Sequence, residues 1–222
     1  MMDRVIISGG GTGGHIFPAI AIADELKKRN PEIQILFVGA EGRMEMEKVP
    51  QAGYAIQGLP IVGLQRKLTL SNFLLPFKLL KSLIKARSII KKFNPKLVIG
   101  VGGYASGPTL KMANLLGIPT LIQEQNSFAG KTNKLLAKKA SRVCVAYEGM
   151  QSFFPETKIV LTGNPVRKEM VNAKVSKEEA YSFFNISPAR RTLLVIGGSL
   201  GARSINNALM QELNKWKSLE DS

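Results

Sequence analysis

The sequence contains a single cysteine, Cys144, so no disulfide framework can support the fold. That thiol lies in the strand-like run Arg-Val-Cys-Val-Ala, where it reads as a reduced core residue and points to a cytoplasmic location. No apolar run approaches the roughly eighteen residues needed to cross a bilayer. Glycines interrupt the first apolar run almost at once, so no signal-peptide core is expected. The only aspartates are Asp3, Asp24 and Asp221, which leaves no Asp-x-Asp metal pair and no expected metal site. Histidine occurs once, at His15. Between Glu47 and Glu124 there is no acidic residue at all, while lysine and arginine recur from Lys48 to Lys111. The formal charge of +15 calls for an anionic partner, whether nucleic acid, anionic lipid or a phosphorylated substrate. Aromatic residues are not interleaved with the lysines, which argues against nucleic acid.

What the chain does have is glycine at the ends of short apolar runs. Val5, Ile6 and Ile7 read as a buried parallel strand, followed by Gly9, Gly10, Gly11, Thr12, Gly13 and Gly14. An amphipathic run from Pro18 to Lys28 predicts a helix, with Pro18 suited to its first position. Strand, glycine turn and helix together point free N–H groups and a positive helix end at a phosphate. Gly9, Gly11 and Gly14 have the G-x-G-x-x-G spacing, which on its own serves a plain tight turn equally well. The same logic recurs at Gly102-Gly103-Tyr104 and at Gly197–Gly201.

Further strands are expected at 33–38, 54–59, 97–100, 119–122, 142–146 and 192–196, with helices at 43–52, up to about 116, at 131–140, at 176–184 and up to about 216. Such alternation means parallel βαβ units, an α/β doubly wound sheet. Gly163-Asn-Pro-Val-Arg167 reads as a linker. Two glycine turns before it and one after it point to two phosphate-bearing ligands meeting at a cleft.

A helix starting near Pro76 places Leu79, Leu83, Ala86, Ile90 and Phe93 on a core stripe. Phe77, Leu80 and Ile84 form a second apolar stripe, flanked by Lys78, Lys81 and Lys85, which Phe73 and Leu74 extend. Lysines edging an apolar stripe suit the headgroup region of an anionic bilayer; the competing reading is a helix buried on two sides.

Gly-Gly-Thr-Gly-Gly-His at 10–15, Gly-Gly-Tyr-Ala-Ser-Gly-Pro at 102–108, Gln-Glu-Gln-Asn at 123–126, Gly-Asn-Pro-Val-Arg at 163–167 and Gly-Gly-Ser-Leu-Gly-Ala-Arg at 197–203 occur in one order. In that order and spacing the chain resembles the MurG family, bacterial UDP-N-acetylglucosamine transferases that make the second lipid intermediate of peptidoglycan. The resemblance implies a GT-B fold, a Rossmann-like domain followed by the first part of a second. The implied domains are residues 1–162 for acceptor and membrane binding, a linker at 163–168, and an incomplete donor-binding domain from 169 to 222.

It also implies an inverting transfer of N-acetylglucosamine from UDP-N-acetylglucosamine, a substrate rather than a cofactor. The implied acceptor is the muramyl 4-hydroxyl of undecaprenyl-diphospho-muramoyl-pentapeptide (lipid I), on the cytoplasmic, anionic leaflet of the cell membrane. By resemblance Thr12, Gly13, Gly14, Asn126, Arg167 and Ser199 contact the donor. Gly10, Gly11, Gly102, Gly103 and Tyr104 cradle the acceptor diphosphate. His15 is the first candidate base and Glu124 its rival, unless that carboxylate only fixes its loop through backbone N–H groups. The competing functions are a nicotinamide- or flavin-dependent oxidoreductase, for which Glu41 is the nearest ribose-binding acid, and a basic membrane- or nucleic-acid-binding module. One strand–helix unit of a second sheet is not expected to close a core, so the chain alone is expected to be inactive.

Overall fold

The computed structural model describes residues 3–61, 75–167, 170, 174–189, 191–198 and 202–217. Its strands are β1 (Arg4–Ser8), β2 (Gln34–Ala40), β3 (Ala55–Leu59), β4 (Leu97–Gly100), β5 (Thr120–Glu124), β6 (Arg142–Val145) and β7 (Ile159–Leu161). They form one seven-stranded sheet in the order β3-β2-β1-β4-β5-β6-β7, all parallel. This is the Rossmann-like doubly wound order, with the winding reversing between β1 and β4. At the centre Ile6 pairs with Leu36 on one side and Val98 on the other.

Period-two alternation divides the strand residues between two cores. Val5, Ile7, Ile35 and Phe37 meet Ile16, Ala19, Ile20 and Ala23 of α1 (Gly13–Arg29) and Val49 of α2 (Glu45–Gln51). Ile6, Leu36, Val38, Val98 and Ile122 belong to the opposite core. That core is closed by Ala86, Ile89 and Ile90 of α3 (Leu75–Phe93), Leu110 and Ala113 of α4 (Ser106–Leu115), and Leu136 and Ala137 of α5 (Lys131–Ala137). Burial on both faces is why these strands read as unbroken apolar runs rather than alternating ones.

Several elements differ from the sequence expectation. Helix α1 begins at Gly13, not Pro18, because the extended Thr12 acts as N-cap and its carbonyl accepts the N–H groups of His15 and Ile16, both at 3.1 Å. Pro18 therefore falls inside the helix, where it has no N–H to offer the Gly14 carbonyl. Strand β7 was not expected; three residues at a sheet edge carry too little pattern to be seen. On α3 the buried side is Ser82, Ala86, Ile89 and Ile90, and Leu79 is 45% exposed instead of lying on the core stripe.

The chain separates into two compact units, Met1–Asn172 and Ala173–Ser222, a boundary later than the linker expected at 163–168. In the second unit α6 (Lys177–Phe184) is started by a capping box between Ser176 and Glu179, and α7 spans Arg203–Lys217. Residues 192–196, expected as a strand, form none, and Leu194 and Ile196 are exposed. A strand needs a neighbour for its N–H and C=O groups, and no described residue of this unit supplies one. No helix among the described residues is long and apolar enough to cross a membrane.

The difference between the units is measurable. Ile122→Ala, at a fully buried site, is expected to lower stability by about 2–5 kcal/mol in urea titration. Leu194→Ala is expected to change it by about 0.5 kcal/mol or less.

Candidate active site

Glycine turns follow β1 and β4, the neighbouring strands at which the winding reverses, so both lie at the ligand-binding edge of the sheet. Gly10 and Gly11 have φ of +149° and +88°, and Gly102 and Gly103 of +96° and +83°, conformations that favour glycine. A Cβ on Gly103 would collide with the Gly10 backbone, so the two turns can pack back to back only as glycines.

His15 sits in the first turn of α1, over Gly102, where a Cβ would stand 2.8 Å from its Nε2. Its Nδ1 is 3.2 Å from the Gly10 carbonyl oxygen and 3.3 Å from Thr12 Oγ1. A carbonyl can only accept, so the ring proton resides on Nδ1 and Nε2 keeps its lone pair. Burial pushes the imidazole below its ordinary 6.5, while the Gly10 carbonyl, Glu124 and Glu45 pull the other way. Burial thus favours the neutral ring, the state a general base requires.

Around it, the first turn of α1 is prepared for an anion. The N–H groups of Gly13 and Gly14 have no carbonyl to reach inside the helix. Thr12 does not cap them with its side chain, and no acidic residue occupies that turn.

Two buried carboxylates hold the surrounding loops. Glu124, only 1% exposed, accepts from Asn126 N and Nδ2 through Oε1, both at 3.1 Å. Its Oε2 accepts from Gly130 N and Asn133 Nδ2, both at 2.9 Å. With these four donors its lone pairs are filled, which makes it a brace for the 126–133 segment rather than a free base. The second carboxylate, Glu45, was not anticipated. Its Oε2 accepts from Gly11 N at 2.8 Å and its Oε1 from Ala40 N at 3.0 Å. A Cβ on Gly10 or Gly39 would collide with it. Gly11, expected to hold the acceptor diphosphate, thus has its N–H committed to Glu45. The acid nearest the end of β2 is Glu41, the ribose-binding candidate of the oxidoreductase reading, and it instead pairs with Lys85 at 2.7 Å.

A third strand contributes amides. Gln125 Nε2 donates to the Val101 carbonyl at 2.9 Å, and Asn164 Nδ2 donates to the Gln125 carbonyl at 3.1 Å. Thr12, Gly14, His15, Pro18, Gln125, Asn126 and Asn164 line one cavity of about 380 Å³. Four expected site residues, Thr12, Gly14, His15 and Asn126, therefore meet there. Arg167 does not join them; its guanidinium stacks 4.2 Å over the Phe17 ring, beside a separate cavity of about 640 Å³ with Asp24, Lys48 and Gln51. Tyr104 is half exposed on the loop after β4. Phe77, Leu80 and Ile84 are 66%, 56% and 62% exposed, so the described residues do not cover the second stripe of α3. Phe73, Leu74 and Ser199 lie outside the described residues.

A neutral imidazole at an anion-ready helix end, on the switch point of a Rossmann-like sheet, marks the chain as an α/β protein with a ligand-sized cavity at the rim of its sheet. Residues 5–145 match the N-terminal domain of glycosyltransferase family 28, and the chain belongs to that family. It is 63% identical over 214 residues to the UDP-N-acetylglucosamine--N-acetylmuramyl-(pentapeptide) pyrophosphoryl-undecaprenol N-acetylglucosamine transferase of Phocaeicola vulgatus, covering 96% of this chain and 57% of that one. The protein of the same name from Parabacteroides distasonis is 62% identical, with 96% and 58% covered. Among solved structures, that of Acinetobacter baumannii MurG aligns with a TM-score of 0.71 at 32% identity, over 96% of this chain and 57% of that one. UDP-GlcNAc 2-epimerase from Neisseria meningitidis shares the fold, with a TM-score of 0.63 at 14% identity, over 97% and 63%. The chain thus spans a little over half the length of the curated relatives it matches.

The lowered affinity of buried His15 for a proton links it to stability. Just below pH 6.5 the unfolded chain takes up a proton that the folded chain resists, so stability falls as the pH drops through this window. Thermal unfolding of His15→Gln between pH 7 and 5.5 is expected to show a shallower fall than the parent chain.

Proposed function

We propose that this chain is the acceptor-side half of an inverting N-acetylglucosaminyltransferase that converts undecaprenyl-diphospho-MurNAc-pentapeptide to its disaccharide form, with UDP-N-acetylglucosamine as donor. The observation that carries this reading is the extent of likeness, 63% identity over 96% of the chain, to a relative whose name states that activity. The cavity supplies suitable chemistry.

In this reading His15 Nε2 takes the proton from the muramyl 4-hydroxyl as that oxygen attacks C1 of the donor sugar. The C1–O bond to the diphosphate breaks, and its electron pair leaves on UDP. The amides of Gly13 and Gly14 and the positive end of α1 stabilise charge on a diphosphate. Asn126, held by Glu124, and Thr12 orient substrate from the cavity wall. Arg167 and Ser199 are assigned to the donor, and Gly102, Gly103 and Tyr104 to the acceptor side. In the longer protein, His15→Asn is expected to lower kcat by about 10²–10⁴-fold while donor affinity persists, as steady-state kinetics and calorimetry would read. An unchanged kcat would remove His15 from this role.

We also propose that the layer formed by α3, α4 and α5 rests on the anionic, cytoplasmic side of the membrane. None of these helices contains an acidic residue, whereas α1 and α2 carry Asp24, Glu25, Glu45 and Glu47. Exposed Phe77, Leu80 and Ile84 lie among Lys78, Lys81 and Lys85 on the same helix. Sedimentation with phosphatidylglycerol vesicles at low salt is expected to exceed that with phosphatidylcholine vesicles, and Phe77→Ser with Lys81→Glu to abolish the excess. Equal binding to both vesicle types would overturn this docking.

A further inference from the structure

The Gly10–Gly11 peptide group is gripped at both ends by side chains. At its N–H end the Glu45 carboxylate accepts from Gly11 at 2.8 Å, and at its C=O end His15 Nδ1 lies 3.2 Å from the Gly10 oxygen. Glu45 is 1% exposed and is fixed from a second side by the Ala40 N–H at 3.0 Å. Gly103 closes against the same peptide, which keeps it from rotating.

We propose that Glu45 is a positioning residue that acts on His15 through this one peptide. Its carboxylate polarises the amide, the Gly10 oxygen becomes a stronger acceptor, and the Nδ1–H is held so that Nε2 carries the free lone pair. The arrangement does the work of a carboxylate bonded directly to a base histidine, with a backbone amide inserted between the two. It also accounts for glycine at position 10, where a Cβ would occupy the carboxylate's place, and at position 39, where a Cβ would collide with the Glu45 Cγ that carries it. The charged groups facing the ring are Glu45 and Glu124; only Glu45 is linked to it through a shared peptide. The catalytic meaning of the relay rests on His15 being the base, as proposed above, but the relay itself does not.

His15 is the only histidine, so nitrogen-detected NMR of the uniformly ¹⁵N-labelled 222-residue chain reports one imidazole. In the neutral form the proton is expected on Nδ1. In Glu45→Gln the pKa of His15 is expected to fall and the Nε2–H tautomer to gain population. Glu41→Gln, which removes an exposed carboxylate paired with Lys85, should change neither. Glu45→Asp keeps the charge with a shorter reach and should fall between parent and Glu45→Gln. A parent spectrum with the proton on Nε2 overturns the relay without any variant, so misfolding of Glu45→Gln would not shelter it. A folded Glu45→Gln with the parent's pKa and tautomer also overturns it. Loss of the base assignment would show instead as unchanged turnover in His15→Asn, a result independent of the ring spectrum.

Discussion

The rim of this sheet is organised by the close approach of two glycine turns, with the Gly10–Gly11 peptide between them. Gly103 meets the Gly10 backbone from one side and Glu45 from the other, and His15 closes on the carbonyl. These contacts rest on a missing Cβ, a buried carboxylate and a ring N–H. If the turns separated, the imidazole would lose the acceptor that sets its tautomer. The same constraint decides which amides remain open to a ligand: that of Gly11 is occupied, whereas those beginning α1 at Gly13 and Gly14 are not.

Charge is distributed by layer rather than evenly. The helices over one face of the sheet are free of acids, and those over the other carry several. The buried carboxylates are satisfied by N–H groups, Glu45 by two of the backbone and Glu124 by two backbone and two side-chain donors. Buried charge is tolerable only with such donors, so these residues fix loop geometry as strongly as any apolar contact does.

Much of this was legible in the sequence. Six of the seven strands and the parallel doubly wound architecture follow from short apolar runs, His15 from its place behind a glycine turn, and Thr12, Gly14 and Asn126 from the family resemblance. What escaped has physical causes. Strand β7 is three residues long and offers no period to read. Pro18 reads as a first-turn residue, yet the extended Thr12 opens α1 earlier through its carbonyl alone. Glu45 acts across 34 residues of sequence, and nothing local marks an acid that folds back beneath a turn. Residues 192–196 have every strand propensity and still form none, because strand pairing is a property of neighbours.

Pro18 gives the beginning of α1 a dual character. An ordinary helix start presents donors alone, since every carbonyl after the cap is engaged by an amide one turn later. Here the ring nitrogen cannot engage the Gly14 oxygen, and Gly14 and Pro18 both border the His15 cavity. A single turn of backbone therefore lacks carbonyl partners for its leading amides and an i+4 amide partner for one of its carbonyls.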